Sequence, residues 1–264
     1  MKTALFTRVH NGYQRTKLPD GRYEVETYAL ANRGADNAAV VDKAIDTMPF
    51  LQIAEILAES LAKQRYAPSS DPENTDLLLI VSYGRTAGAE GAGDSPVHHQ
   101  FYAEMQSVVP DAEGLQKSGR HPLESLLTQI GMENEQRERA NQRNARLLGY
   151  QEELARTDTI AQYSAGGTLR GDLIADVEED RYFVIVVACD FRLATKEKKI
   201  RPLWSAQFST AARGKNFQTT LPSMTSFAAG YFGRDSGGLL RDAVPVGSVK
   251  LEEMVELGEA GAAK

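Results

Sequence analysis

The sequence predicts an α/β fold with α+β character: a mixed, mostly antiparallel sheet with helices packed on it and a long helical insertion. Two observations carry this prediction. Short apolar segments with strand patterning recur along the chain, and segments of helical periodicity separate them. The predicted strands are 22–33, 77–83, 182–194, 202–211 and 248–256. The predicted helices are 47–65, 168–179 and 221–232, with a helical arm at 122–156.

Length and composition fit one globular unit. The chain has 264 residues, of which 42% are hydrophobic and 25% charged, and this composition is ordinary for a globular protein. We therefore expect a single domain over 1–264, with a helical insertion at about 97–160. The formal net charge of −6 argues against nucleic acid as a partner. No apolar run is long enough to predict a membrane span.

The first predicted strand, 22–33, shows Tyr23, Val25 and Thr27 alternating with glutamates. The helix 47–65 follows, with Pro49 expected in its first turn. The run "LLLIVSY" at 77–83 has no alternation and is bounded by loops. A short continuous apolar run of this kind is typical of a strand covered on both faces, so we place it centrally in the sheet.

The insertion is helical but poor in apolar residues. A short helix is predicted over 97–109. Pro122 opens a second helix with Leu123, Leu126, Leu127 and Ile130 facing inward. In the arm, Ala140, Leu147 and Leu154 recur every seven residues, which is too short a seam for a coiled coil. We expect the arm to be exposed, or packed along one thin stripe. If it is exposed, Leu147 and Leu154 offer a homodimer contact.

The stretch "RYFVIVVACDFRLATKEKKIRPLWSAQFST" at 181–210 predicts two strands joined by a charged connection. In the first strand, alternate residues from Phe183 to Leu193 form one apolar face. In the second strand, Trp204, Ala206 and Phe208 alternate with polar residues, which indicates half burial. The connection "TKEKK" lacks the residues of a tight turn, so we expect a longer antiparallel hairpin.

Cys189 and Trp204 are the single cysteine and the single tryptophan of the chain. A nucleophilic cysteine needs a lowered pKa and a nearby base, and the middle of an apolar strand supplies neither. We therefore interpret Cys189 as a small buried hydrophobic residue. Trp204 is interpreted in the same way as a core residue. The sequence names no catalytic residue.

A glycine-rich loop at 84–93 follows the predicted central strand, within "SYGRTAGAEGAGDS". A strand, a glycine-rich loop and a helix together can cradle phosphate. Gly84, Gly88, Gly91 and Gly93 do not match either established phosphate-binding pattern. A flexible connection is the simpler interpretation, and nucleotide or small-molecule binding at this loop is the alternative.

Two further patterns are weighed as sites. Asp94, His98 and His121 could meet in space as metal ligands, but no metal-binding spacing is present. Solvated histidines are the simpler interpretation. The acidic run at 176–180 is typical of a solvated helix end. We predict no metal site and no cofactor.

Two segments together resemble an uncharacterised family of bacterial cell-envelope lipoprotein domains. One runs from the helix end "LAESLAKQRY" to "ENTDLLLIVSYG", and the other is "RYFVIVVACDFRLATKEKKIRPLWSAQFS". The resemblance covers 22–85 and 181–234. It implies an α/β domain with a mixed sheet, together with export and a lipid anchor on an N-terminal cysteine. It supplies no catalytic residues.

The resemblance leads to an expected function. We expect a non-catalytic cell-envelope protein that contacts another envelope protein, or itself, through the arm at 122–156. The printed chain lacks a lipobox and an N-terminal cysteine. We therefore expect the cell envelope or periplasm if a signal was removed from the chain, and the cytoplasm otherwise.

Overall fold

The computed structural model describes residues 2–35, 40–89, 95–107, 122–161 and 167–243. A seven-stranded mixed sheet forms its centre, which confirms the predicted fold class. The strands are β1 (Lys2–Val9), β2 (Glu26–Ala35), β3 (Tyr66–Pro68), β4 (Leu77–Arg85), β5 (Arg181–Asp190), β6 (Pro202–Ala211) and β7 (Leu240–Ala243). Their order is β3-β2-β4-β5-β6-β1-β7. Strand β2 runs parallel to both β3 and β4, and the other neighbouring pairs are antiparallel.

Helices cover both faces of this sheet. They are α1 (Lys43–Asp46), α2 (Phe50–Ala62), α3 (Pro96–Ser107), α4 (Pro122–Leu148), α5 (Gln151–Ala161), α6 (Gly167–Glu178), α7 (Phe191–Lys196) and α8 (Phe217–Ala228). The larger hydrophobic cluster lies under α1, α2 and α8, which we call the α2–α8 face. The smaller cluster lies under α4, α5 and α6, which we call the α4–α6 face. The sheet is thus the shared layer between two cores.

Strand β1 has no counterpart among the predicted strands. It lies between β6 and β7 and pairs with both. Leu5 and Ala4 are buried on opposite faces, in the larger and the smaller cluster respectively. One set of alternate residues is interrupted by Thr3 and Thr7, and the other by Arg8. Hydrophobic alternation therefore does not reveal this strand. The predicted last strand, 248–256, lies outside the described residues.

Strands β2 and β4 differ from their predicted burial. Strand β2 begins at Glu26. Tyr28, which does not belong to the alternating set of Tyr23, Val25 and Thr27, lies in the core, whereas Val25 is exposed. Strand β4 is third in the sheet order, but Leu78 and Ile80 are only half-buried. The prediction that β4 is covered on both faces is therefore wrong for these two residues. The helical insertion after β4 covers this side of the strand incompletely.

The β5–β6 pair is antiparallel, as predicted, but its connection is a short helix. Asp190 ends β5 because its carboxylate accepts a hydrogen bond from Leu193 N at 3.0 Å and caps α7. The predicted strand 182–194 is therefore too long. The predicted apolar face is also the less buried one. Its opposite, with Tyr182, Val184 and Val186, enters the larger cluster.

Two predicted helix starts are corrected. Helix α2 begins at Phe50, and Pro49 is its N-cap instead of lying in the first turn. Helix α8 begins at Phe217, because Asn216 caps it by accepting from Gln218 N at 2.8 Å. Pro222 therefore lies inside α8, in its second turn. The prediction for 168–179 agrees closely with α6.

The arm does not project as a bare helix. Helix α4 packs along one continuous stripe that is apolar at both ends and polar in the middle. The members of this stripe are Leu126, Ile130, Glu133, Arg137, Asn141, Asn144, Ala145 and Leu148. Leu147 and Leu154 pack against the smaller cluster, so they do not form the predicted exposed homodimer contact. The predicted inward-facing Leu127 is exposed.

Candidate functional site

The carboxyl ends of β4 and β6 border an open cleft of about 670 Å³, which we call the Gly88 cleft. Helix α6 also ends here, so its acidic residues meet the strand ends. The lining is Arg85, Gly88, Ala89, Glu178, Glu179, Asp180, Tyr182, Ala212, Arg213, Gly214 and Lys215.

Arg85 is the centre of an ion-pair network beside this cleft. Its guanidinium pairs with Asp180 and, at 3.2 Å, with Asp42. The hydrogen bond to Asp180 is the main reason that the pKa of Arg85 is raised, and burial opposes it. Tyr182 donates to Asp42 at 3.1 Å. The network joins the loop after β2 to β4 and β5.

Gly88 allows the chain to approach the end of α6 closely. A Cβ atom at this position would lie 2.7 Å from the carbonyl oxygen of Glu178. The Gly88 N–H donates to the carboxylate of Asp180. Within the predicted loop 84–93, Gly84 belongs to β4 and pairs with Phe183. Gly91 and Gly93 lie outside the described residues, so phosphate binding there stays a prediction.

The acidic run at 176–180 is not the solvated helix end that the sequence predicts. Each carboxylate meets a partner from another part of the chain or from β5. Glu178 accepts from Arg137 Nε at 2.6 Å and from Asn141 Nδ2 at 2.7 Å. Asp176 accepts from Tyr150 and pairs with Arg241 at 2.8 Å. The run therefore fastens α4, α6 and the sheet to one another.

Helix α3 packs against α4, and this pair, the α3–α4 hairpin, carries exposed apolar side chains. Four large apolar residues here are more than half exposed: Tyr102, Met105, Leu127 and Met132. Ser95 donates to Glu133, which ties the start of α3 to α4. The hairpin therefore carries several exposed apolar side chains on helices that are held in place.

The predicted roles of Cys189 and Trp204 are confirmed. Both side chains are buried, and burial raises the pKa of the Cys189 thiol. A raised pKa disfavours the thiolate that a nucleophile needs. Trp204 packs against Tyr66 and Phe232, each with ring centroids 5.8 Å away. Both residues therefore belong to the core.

The structure brings together a serine and a histidine that no sequence pattern pairs. His10 Nε2 and Ser205 Oγ are 2.9 Å apart. Burial, together with the charge of Arg8, lowers the pKa of His10, which favours the neutral imidazole that a base requires. Among the described residues, no hydrogen bond to His10 Nδ1 is formed.

A second polar cluster lies at the amino end of β2. Arg15, whose side chain is buried, donates to Glu26 at 3.0 Å and stacks between Tyr23 and Tyr66. Burial raises the pKa of Glu26, although hydrogen bonds from Tyr13 and Arg15 act against this rise. The cluster holds the β1–β2 connection onto the sheet. The only sign of this cluster in the sequence is the aromatic residues spaced along the β1–β2 connection.

Of the three weighed metal ligands, His98 is described, while Asp94 and His121 lie outside the described residues. His98 Nδ1 is 3.9 Å from Glu133. Within the described ranges, no group of three or more histidine, cysteine or acidic residues is placed to hold a metal ion. In the same ranges, no helix has the length and apolar character needed to cross a membrane.

Comparisons with known proteins assign this chain to no family. No family model matches the chain, and no curated protein matches it. Among solved structures, the chain is similar to a PDZ domain protein from Parabacteroides distasonis, at 11% identity and a TM-score of 0.39. The likeness covers 91% of this chain and 38% of that one, so the chain spans well under half of its length. A likeness this distant carries no argument about fold or function.

Proposed function

We propose that this chain is a non-catalytic bacterial cell-envelope protein that binds another protein through the α3–α4 hairpin. The observation that carries the proposal is the set of exposed apolar side chains on these two helices. Single exposed hydrophobic residues are normal, but grouped ones mark interaction surfaces. Of the ten large apolar side chains that are exposed in the described residues, four lie in this hairpin.

The way the hairpin is fastened supports this proposal. Arg137 and Asn141 bind Glu178 of α6, and Asn144 donates to the carbonyl oxygen of Ala87 at 2.9 Å. These polar ties orient α4 without using the apolar residues of its outer part. A surface held in place before binding loses less conformational entropy when a partner arrives.

The envelope assignment rests on the resemblance. The resembling segments 22–85 and 181–234 supply strands β2 to β6 and helices α2 and α8. The α3–α4 hairpin falls between them, in the insertion. In this proposal the sheet is the common scaffold and the hairpin is the part that selects a partner.

Paired substitutions test the binding surface. Met105→Ser with Leu127→Ser removes two exposed apolar side chains of the hairpin. The matched control, Leu51→Ser with Ile200→Ser, removes two that are exposed elsewhere. Proteins retained by the immobilised chain from envelope extracts are quantified for each variant, and self-association is measured by sedimentation velocity. We expect the hairpin pair alone to lose binding. Equal retention by both variants and the unaltered chain contradicts the proposal.

The envelope assignment needs its own measurement. The intact mass and the N-terminal sequence of the protein from its native cells are determined, with membrane and soluble fractions compared. A lipidated cysteine upstream of the printed chain, found in the membrane fraction, is the expected result. A soluble product that begins at Met1 removes the envelope assignment and leaves the hairpin proposal standing.

The second candidate is a small-molecule binder that uses the loop 84–93, and the Gly88 cleft favours it. Arg213 and Lys215 line the cleft beside Arg85. Thermal unfolding in the presence of nucleotides and phosphosugars tests this candidate. A ligand at 100 times its Kd stabilises by about 2.7 kcal/mol. An unchanged midpoint across the panel eliminates it.

A further inference from the structure

A second cavity, of about 390 Å³, lies on the α4–α6 face at the edge of the sheet, and we call it the Arg181 cavity. The first residues of β1 and β5 form its wall together with β7 and side chains from α6 and the turn before α5. Its charged and hydroxyl groups come from Lys2, Thr3, Tyr150, Asp176, Arg181, Arg241 and Asp242. It is separate from the hairpin surface of the proposed function.

Arg181 is the unusual member of this lining. Its side chain is only 1% exposed, and a buried charge is costly unless it is well paired. Its guanidinium donates to three neutral acceptors, Ser209 Oγ at 3.2 Å, the carbonyl oxygen of Lys2 at 3.2 Å and the carbonyl oxygen of Ser209 at 3.5 Å, and to the carboxylate of Glu179 at 3.4 Å. Hydrogen bonds from a guanidinium to a carboxylate are ordinarily about 2.7–2.9 Å. The charge of Arg181 is therefore only weakly paired with its carboxylate partner, although its N–H groups have acceptors.

The neighbouring groups set the charge of the cavity. Arg241 pairs with Asp176 at 2.8 Å, and Tyr150 donates to the same carboxylate at 3.2 Å. Lys2 adds a third cation, and Asp242 a second carboxylate. Three cationic and two anionic side chains line the cavity, and Glu179, which pairs with Arg181, lies outside the lining. This balance suits an anion of low charge, whereas a dianion meets two carboxylates at close range.

We propose that the Arg181 cavity binds the carboxylate group of a small organic acid or amino acid. Guanidinium groups present planar donors that match a carboxylate. Arg181 supplies the buried donor at the wall, and Arg241 and Lys2 supply donors nearer the opening. In an amino acid, the ammonium group lies toward Asp176 and Asp242. The volume accommodates a molecule of this size and excludes a folded polypeptide.

Titration calorimetry in a carboxylate-free buffer tests this site. The probes are lactate and glutamate, which each carry one net negative charge at neutral pH, and inorganic phosphate. The variants are Arg241→Gln and Lys2→Gln, which alter partly or fully exposed side chains and keep Arg181 in place. The matched control is Arg22→Gln, which removes an exposed arginine that pairs with Asp20. Circular dichroism and thermal unfolding verify that every variant folds.

We expect saturable binding of lactate or glutamate, weakened about tenfold or more by Arg241→Gln and unchanged by Arg22→Gln. Tighter binding of glutamate than of lactate identifies amino acids as the ligand class, and the reverse identifies simple acids. Phosphate that binds more tightly than both carboxylates overturns the proposal. So does the absence of saturable binding, or equal binding by both folded variants and the control.

Discussion

Asp42 shows how one side chain joins three separate parts of the chain. It caps α1 by accepting from Ala44 N at 2.9 Å, and it also accepts from Arg85 and Tyr182. Its side chain is 9% exposed. Burial alone would raise the pKa of Asp42, but these hydrogen bonds outweigh burial and lower the pKa below its ordinary 3.8. The ionised form therefore stabilises the fold.

The charge of Asp42 should make stability depend on pH. Because the pKa is lower in the folded state, the contribution is complete above 3.8 and is lost as pH falls through the lowered value. Asp42→Asn keeps a side-chain oxygen for the cap and removes the charge. We expect a loss of about 1–3 kcal/mol at pH 7. Urea unfolding at pH 7, 5 and 3 measures the difference, which should shrink toward pH 3. A difference that stays constant with pH would show that the charge contributes nothing.

Single residues were predictable from the sequence where burial alone decides their role. Cys189 and Trp204 were placed correctly because an apolar strand environment is a local property. The pairs Arg85–Asp180 and His10–Ser205 were not predictable. Their members lie far apart in the chain and meet only because the sheet order places β4 beside β5, and β1 beside β6.

At the scale of elements, α4 is the instructive case. Its buried stripe changes from apolar to polar and back, because its middle packs through hydrogen bonds to α6 instead of hydrophobic contact. A hydrophobic pattern registers only the apolar ends of such a stripe. This explains why the helix was predicted from its helix-forming residues but its packing was not.

Neighbouring leucines of α4 test how the helix packs. Leu148 is fully buried and Leu147 is half-buried. We expect Leu148→Ala to lower the free energy of unfolding by about 2–5 kcal/mol, since it leaves a cavity in the smaller cluster. Leu147→Ala carries the same change in helix propensity and should cost clearly less. Denaturant titration compares the two. Equal losses would mean that the arm is not seated on the sheet as described.

At the scale of the molecule, one sheet serves two cores. The alternate residues of β5 divide between them, with Tyr182 and Val184 in the larger cluster and Phe183 in the smaller one. Loss of either helical layer therefore uncovers the same strands. The sequence predicted the sheet and its mixed character, but it could not assign helices to faces, because that assignment depends on strand order.

The shared sheet should make unfolding a single event, in keeping with the predicted single domain. The only tryptophan, Trp204, reports on the larger cluster. Far-ultraviolet circular dichroism reports largely on the long helices of the opposite face. We expect both probes to give the same urea midpoint, and Leu148→Ala to shift both equally. Separate midpoints would reveal two independently stable layers.

The pairing of β4 with β5 has a consequence for how this fold can vary. Arg85 and Tyr182 are directly opposed in the ladder, although the whole helical insertion runs between them. The insertion leaves the sheet from β4 and returns to it in the neighbouring strand β5, so it forms an exchangeable unit. It can be lengthened, shortened or replaced without changing strand order, provided that its replacement still offers an apolar side to Phe183 and Ala4. Divergence among relatives of this chain should therefore concentrate between β4 and β5, while the sheet keeps its register.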